Sequence, residues 1–135
     1  METDNLPLVL MADDDEDDCM LARDAFNVSG IPGIIDFVGD GMELLDYLSS
    51  SPSIPSVILL DLNMPRKNGH QALKELKSTS SFQDIPIVVL TTSREEDDIA
   101  YCEKEGAWSF VTKPASFNAW VDIMRSLTDV WPNAK

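Results

Sequence analysis

Acidic and hydroxyl residues stand where apolar runs stop. Leu8-Val9-Leu10-Met11-Ala12 is followed at once by Asp13 and Asp14, Val57-Ile58-Leu59-Leu60 by Asp61, Ile85 to Leu90 by Thr91 and Thr92, and Ala107 to Val111 soon by Lys113. Three carboxylates gathered in one pocket repel one another: at about 4 Å and an effective dielectric near 20, each pair costs on the order of 4 kcal/mol. Positive charge must offset that. Lys113 supplies one unit, and a hard divalent ion supplies two through oxygen ligands. Mg²⁺ suits better than Ca²⁺, because it is content with one or two carboxylates, a carbonyl, waters and a phosphate oxygen. The same array suits phosphoryl transfer to a carboxylate, where catalysis is largely positioning and neutralisation of charge. Asp61 is the candidate nucleophile, since it alone ends a strand with Asn63 two residues on, whose backbone carbonyl is in reach of a metal. Thr91 can donate its hydroxyl to one phosphoryl oxygen, and Lys113 can pair with another.

Five apolar segments, each followed by a helical one, must position these groups. Leu8 to Ala12 and Val57 to Leu60 are wholly apolar and read as buried strands; Ile34 to Val38, Ile85 to Leu90 and Ala107 to Val111 complete the set. Cys19, Ala22 and Phe26 mark the first helix, Leu44, Leu45 and Leu48 the second, Ala72, Leu73 and Leu76 the third. Arg94 to Glu105 is a polar fourth helix, and Phe117, Trp120, Val121, Met124, Leu127 and Trp131 the last. Alternation of this kind predicts an α/β fold, a parallel sheet covered on both faces. Its working residues gather beyond the carboxyl ends of the strands.

The 135 residues fit one domain, with no internal linker, so any output passes through a partner. Ten Lys and Arg against 24 Asp and Glu give a formal charge of -14, which repels a phosphate backbone and argues against nucleic-acid binding. The stretch from Met1 to Pro7 lacks a signal pattern, and no apolar run approaches the roughly 20 residues of a spanning helix. The expectation is a cytoplasmic protein without a membrane segment. Cys19 and Cys102 belong to no CxxC or Cys/His cluster and read as reduced packing residues.

Taken together, Asp13-Asp14, then Asp61-Leu62-Asn63-Met64-Pro65 with Gly69, then Thr91-Thr92, then Lys113-Pro114 resemble the response-regulator receiver family over about Leu8 to Val130. The resemblance implies a flavodoxin-like sheet of five parallel strands in the order 2-1-3-4-5, with five helices. It implies a single receiver domain over residues 1–135 (core about 8–130) without an output domain, phosphorylated on Asp61 by a sensor histidine kinase. Asp14 then binds Mg²⁺ directly, Asp13 mainly through water, and Asn63 through its carbonyl. Thr91 and Phe110 become the switch pair, the ring standing where tyrosine is commoner, and Pro114 follows a cis peptide bond. Met64-Pro65-Arg66-Lys67-Asn68-Gly69 and Leu90-Thr91-Thr92-Ser93 are similar to receivers that partner phytochrome-type kinases. A downstream protein or a histidine phosphotransfer protein would receive the signal, and a homodimer through the last two strands and helices is familiar in such receivers. Enzymatic activity is then limited to self-phosphorylation and self-dephosphorylation.

Blander readings belong beside these. Asp15, Glu16, Asp17 and Asp18 read as a solvated helix start, and His70 receives no role. An EF-hand beginning at Asp13 fails, because its sixth position is Asp18 rather than glycine and its twelfth is Asp24 rather than glutamate. Trp108 and Phe110, two apart, should share a face of the fifth strand, as partner surface or as ordinary packing under the fourth helix. That helix has Ile99, Ala100, Tyr101 and Cys102 as its anchors and is expected to be weakly held. Two other functions compete. A phosphohydrolase of the haloacid-dehalogenase type also uses an aspartate, Mg²⁺, a hydroxyl and a lysine, but its nucleophile resembles Asp-x-Asp after the first strand. A receiver-shaped scaffold would bind partners without phosphorylation.

Overall fold

A computed structural model describes residues 6–50, 53–64, 67–92 and 95–130. The chain alternates strand and helix: β1 (Leu8–Ala12), α1 (Glu16–Ser29), β2 (Ile34–Val38), α2 (Gly41–Ser50), β3 (Val57–Leu60), α3 (Gly69–Ser78), β4 (Ile87–Thr91), α4 (Glu96–Lys104), β5 (Ser109–Thr112) and α5 (Phe117–Ser126), with a 3₁₀ turn at Leu127–Asp129. All strand pairs are parallel, in the order β2-β1-β3-β4-β5, as expected.

Alternating side chains of the sheet feed two cores. Leu10, Ala12, Ile58, Leu60, Ile87 and Val89 face α2, α3 and α4, whereas Val9, Met11, Val57, Leu59, Val88 and Leu90 face α1 and α5. The three inner strands are fully buried apart from the first residue of β1, which is why their sequences run apolar without alternation. The expectation that all five strands are buried on both faces is corrected at the edges. β2 alternates exposed and half-buried positions up to Val38, and every residue of β5 is half-buried, because an edge strand has a neighbour on one side only.

Register brings the strand ends level. Ala12 pairs with Leu60, and Leu60 with Val89, so Asp13 and Asp61 emerge side by side from the two central strands. Backbone bonds fix both: Asp61 N donates to Ala12 O at 3.0 Å, and Asp13 N to Val38 O at 3.0 Å. Strand order reverses between β1 and β3, which opens the crevice where α/β sheets hold their ligands.

Several boundaries differ from the sequence reading. β4 starts at Ile87, since Pro86 has no N–H to give the ladder, while its carbonyl accepts from Ile58 N at 3.0 Å. α4 starts at Glu96 rather than Arg94, and β5 at Ser109 rather than Ala107. Trp108 therefore precedes the strand and is 59% exposed, while Phe110 packs against the core beneath α4. The two do not form one strand face. Ser93, Arg94, Pro65, Arg66 and Trp131 lie outside the described residues.

Candidate functional site

Asp15 shapes the loop after β1. It caps α1 by accepting from the backbone N–H of Asp17 and Asp18 at 2.9 and 3.2 Å, the ordinary role of an aspartate at that position. Its own N–H donates to Asp13 Oδ1 at 2.9 Å, which turns the other oxygen of Asp13 into the crevice. Asp61 is held in the same manner, Oδ1 accepting from Asn63 N at 3.2 Å. α3 begins unusually close to this strand end: a Cβ on Gly69 would lie 2.2 Å from Asp61 O and 2.5 Å from Leu62 Cα, so only glycine fits.

One carboxylate oxygen from each of Asp13, Asp14 and Asp61 falls within a 4.8 Å cluster, with Asp13 and Asp61 buried and Asp14 exposed. Lys113 reaches in from the loop after β5. Its Nζ lies 2.9 Å from Asp13 Oδ2, 2.6 Å from Asp18 Oδ2 and 3.4 Å from Asp61 Oδ2. The lysine is an ionic neighbour of Asp13 Oδ2 rather than a well-directed hydrogen-bond donor, and among the described residues no other group donates to that buried oxygen. Burial pushes the Asp13 carboxyl up to about 6, against the opposing pull of the Asp15 N–H and Lys113. Asp61 is raised by the same cause, with Lys113 again opposing. For Lys113 burial works against the charge, but the hydrogen bond to Asp18 and the negative charges of Asp13 and Asp61 outweigh it and hold the ammonium charged beyond the ordinary lysine range.

Oxygen donors in excess of cationic charge, one of them buried without a directed donor, make a site that a hard divalent cation fits. Of the residues singled out by sequence, Asp13, Asp14, Asp61 and Lys113 are brought together. Thr91 is fully buried at the end of β4, and its carbonyl accepts from Lys113 N at 2.8 Å, tying the lysine loop to that strand. Asn63 is exposed beside the pocket.

Two expectations are corrected. No cis peptide bond occurs among the described residues, so the bond before Pro114 is trans, the lower-energy isomer of an X–Pro pair. Asp18 is not merely a solvated helix start, because it makes the shortest contact to Lys113. Its signal was present in the spacing: Asp18, Ala22 and Ala25 fall on one helical face, the buried one. His70 was also passed over. Its Nε2 lies 2.8 Å from Asp98 Oδ1, its ring meets Tyr101 edge-on, and its carbonyl accepts from the Tyr101 hydroxyl at 3.1 Å. Both cysteines behave as packing residues, burial pushing each thiol up to about 11.

Comparison with known proteins agrees with this geometry. The model of the response regulator receiver domain matches residues 9–125. The probable methanogenesis regulatory protein FilR2 of Methanothrix harundinacea is 32% identical, over 97% of this chain and 87% of its own. The phosphorylated cyanobacterial phytochrome response regulator RcpA superposes with a TM-score of 0.85 at 33% identity, over 96% of each chain. The Mn²⁺-bound form of response regulator Rcp1 superposes with a TM-score of 0.83 at 27% identity, again over 96% of each; Rcp1 of Synechocystis sp. is 29% identical over 92% of this chain and 88% of its own. An acidic crevice at the β1/β3 reversal, a lysine from the β5 loop and a full-length match at these levels place the chain in the response regulator receiver domain family, as a two-component response regulator.

Proposed function

We propose that Asp61 is the residue that takes the phosphoryl group. Phosphorylation on aspartate is general for the family, and receiver domains bind a divalent metal and interact with kinases and downstream partners. The observation that carries the assignment is Lys113, whose ammonium lies against both Asp13 and Asp61 within the three-carboxylate crevice. A side-chain oxygen of Asp61 attacks the phosphorus of a phosphohistidine, the P–N bond breaks, and an acyl phosphate remains on Asp61 while the imidazole leaves with a proton. Lys113 and the Thr91 hydroxyl bind oxygens of the transferred group. Asp13, Asp14, Asp61 and the Asn63 carbonyl would hold Mg²⁺, which would supply positive charge beside the phosphoryl oxygens.

The donor is a sensor histidine kinase, and the similarity to RcpA favours one of phytochrome type. Thr91 and Phe110 carry the change to a partner protein, either a downstream effector or a histidine phosphotransfer protein, and a homodimer through β4, β5, α4 and α5 is a further form of output. The chain acts as a single receiver domain in the cytoplasm, and its own chemistry is limited to gaining and losing the phosphoryl group. Among the described residues no helix is long and apolar enough to cross a membrane.

Incubation with Mg²⁺ and acetyl phosphate is expected to add about 80 Da to the wild-type protein and nothing to Asp61→Asn, read by mass spectrometry. An adduct surviving in Asp61→Asn overturns the assignment. Sustained release of phosphate at enzymatic rates would point to a hydrolase instead.

A further inference from the structure

Lys113 has three N–H donors and three carboxylate neighbours, and the closest of these is the one outside the cation cluster. Nζ to Asp18 Oδ2 is 2.6 Å, shorter than to Asp13 (2.9 Å) or Asp61 (3.4 Å). The cluster that fits a cation consists of Asp13, Asp14 and Asp61; Asp18 is not part of it. Asp18 is fixed by the backbone rather than by chance, since its N–H is bound by the Asp15 cap at the start of α1, with Ala22 and Ala25 buried on the same helical face. The lysine side chain is 11% exposed and that of Asp18 22%, so the pair is only partly screened by water.

We propose that Asp18 is a positioning residue for Lys113. Its carboxylate anchors the ammonium on the α1 side of the crevice, with Asp13 Oδ2 and Asp61 Oδ2 as its longer contacts. When a divalent ion engages Asp13 and Asp61, Asp18 is the carboxylate that keeps hold of the lysine. A phosphoryl oxygen arriving on Asp61 must then draw toward itself an ammonium already held by Asp18 at the shortest of its three carboxylate contacts. Asp18 thus has two opposed effects. It favours metal binding by leaving the lysine a carboxylate partner when a cation takes Asp13 and Asp61, and it slows phosphoryl uptake by holding the same ammonium. This inference rests on the reading of Asp61 as phosphoacceptor with a cation beside it.

A double-mutant cycle separates action through the lysine from action by charge alone. Mg²⁺ is titrated calorimetrically into the full chain as wild type, Asp18→Asn, Lys113→Met and the double variant. Asp18→Asn is expected to weaken Mg²⁺ binding about fivefold when Lys113 is present and less than about twofold when it is absent, the scale of one ordinary hydrogen bond. At saturating Mg²⁺ the same variant is expected to form the acetyl-phosphate adduct about fivefold faster, and Asp18→Glu to return both measures toward wild type. Weaker metal binding together with faster uptake is a combination that loosened folding does not produce. Equal weakening in both lysine backgrounds, unchanged affinity, or slower uptake at saturating Mg²⁺ overturns the proposal. Wild-type protein that takes up neither Mg²⁺ nor the phosphoryl group overturns the reading of Asp61 and this one with it, whereas wild-type uptake with an inert Asp18→Asn removes only the role of Asp18.

Discussion

Asp13 gives up more than any other acid of the crevice, since it is 3% exposed and one of its oxygens lacks a directed donor. Its carboxyl rises from 3.8 to about 6, so between those values the folded chain holds a proton that the unfolded chain has lost. Stability therefore falls as pH rises through that window and levels off above it. Without metal, Asp13→Asn should match wild type near pH 4 and exceed it at pH 7 by on the order of 2–3 kcal/mol, measured by urea unfolding. A constant difference across that range would contradict the assignment. The same crevice shows what residue patterns reveal. Asp61 and Lys113 were legible because a lone charge directly after, or just beyond, an apolar strand has few bland explanations. Asp18 was not, because six acidic residues in a row, Asp13 to Asp18, hide which ones turn inward. Helical phase from the Asp15 cap decides that, and the cap is itself a structural fact.

Among the five α-helices, α4 is the least anchored. Cys102 is its one buried residue, and Glu95 at its start gives no side-chain cap. Its tie to α3 is polar: the His70 and Asp98 pair, with the Tyr101 hydroxyl donating to the His70 carbonyl. Sequence reading found the sparse apolar anchors but not the tie, because His70 and Asp98 stand 28 positions apart and neither belongs to a motif. If the pair is worth about 1–2 kcal/mol, His70→Ala should speed amide exchange within Glu96–Lys104 roughly tenfold and leave β4 unchanged. Equal acceleration everywhere would mean a loss of global stability instead. The start of α3 makes the opposite case, a rigid contact. A methyl group on Gly69 meets the backbone of Asp61 and Leu62, which cannot swing aside as a side chain can. Gly69→Ala should cost about 2–3 kcal/mol or more in denaturant unfolding and lower the acetyl-phosphate adduct by displacing Asp61. A variant of wild-type stability would show that the close approach relaxes in solution. Sheet order and the five-helix pattern followed from apolar runs and family motifs, whereas the half-exposed edges of β2 and β5 depended on which strands ended up outermost.

For the whole molecule, charge sets the terms. A net charge of -14 on 135 residues favours any cation in a general way by screening, while the crevice concentrates three carboxylates at one point. The two effects differ in valence, saturation and location. Screening grows smoothly with ionic strength and acts on every variant, whereas a bound ion stabilises by mass action, about 2.7 kcal/mol when free Mg²⁺ reaches 100 times its dissociation constant. Mg²⁺ should therefore raise the denaturant midpoint of wild type well beyond NaCl at matched ionic strength, with the slope of the transition unchanged because the surface exposed on unfolding is the same. In Asp13→Asn or Asp61→Asn the advantage of Mg²⁺ over NaCl should shrink toward zero. The comparison also guards against a misreading of the acid-rich α1 start, since Asp15, Glu16 and Asp17 remain in both variants. If Mg²⁺ kept its full advantage there, the ion would be bound by that general acidity, and the crevice between β1 and β3 would no longer be the place where charge is gathered for a phosphoryl group.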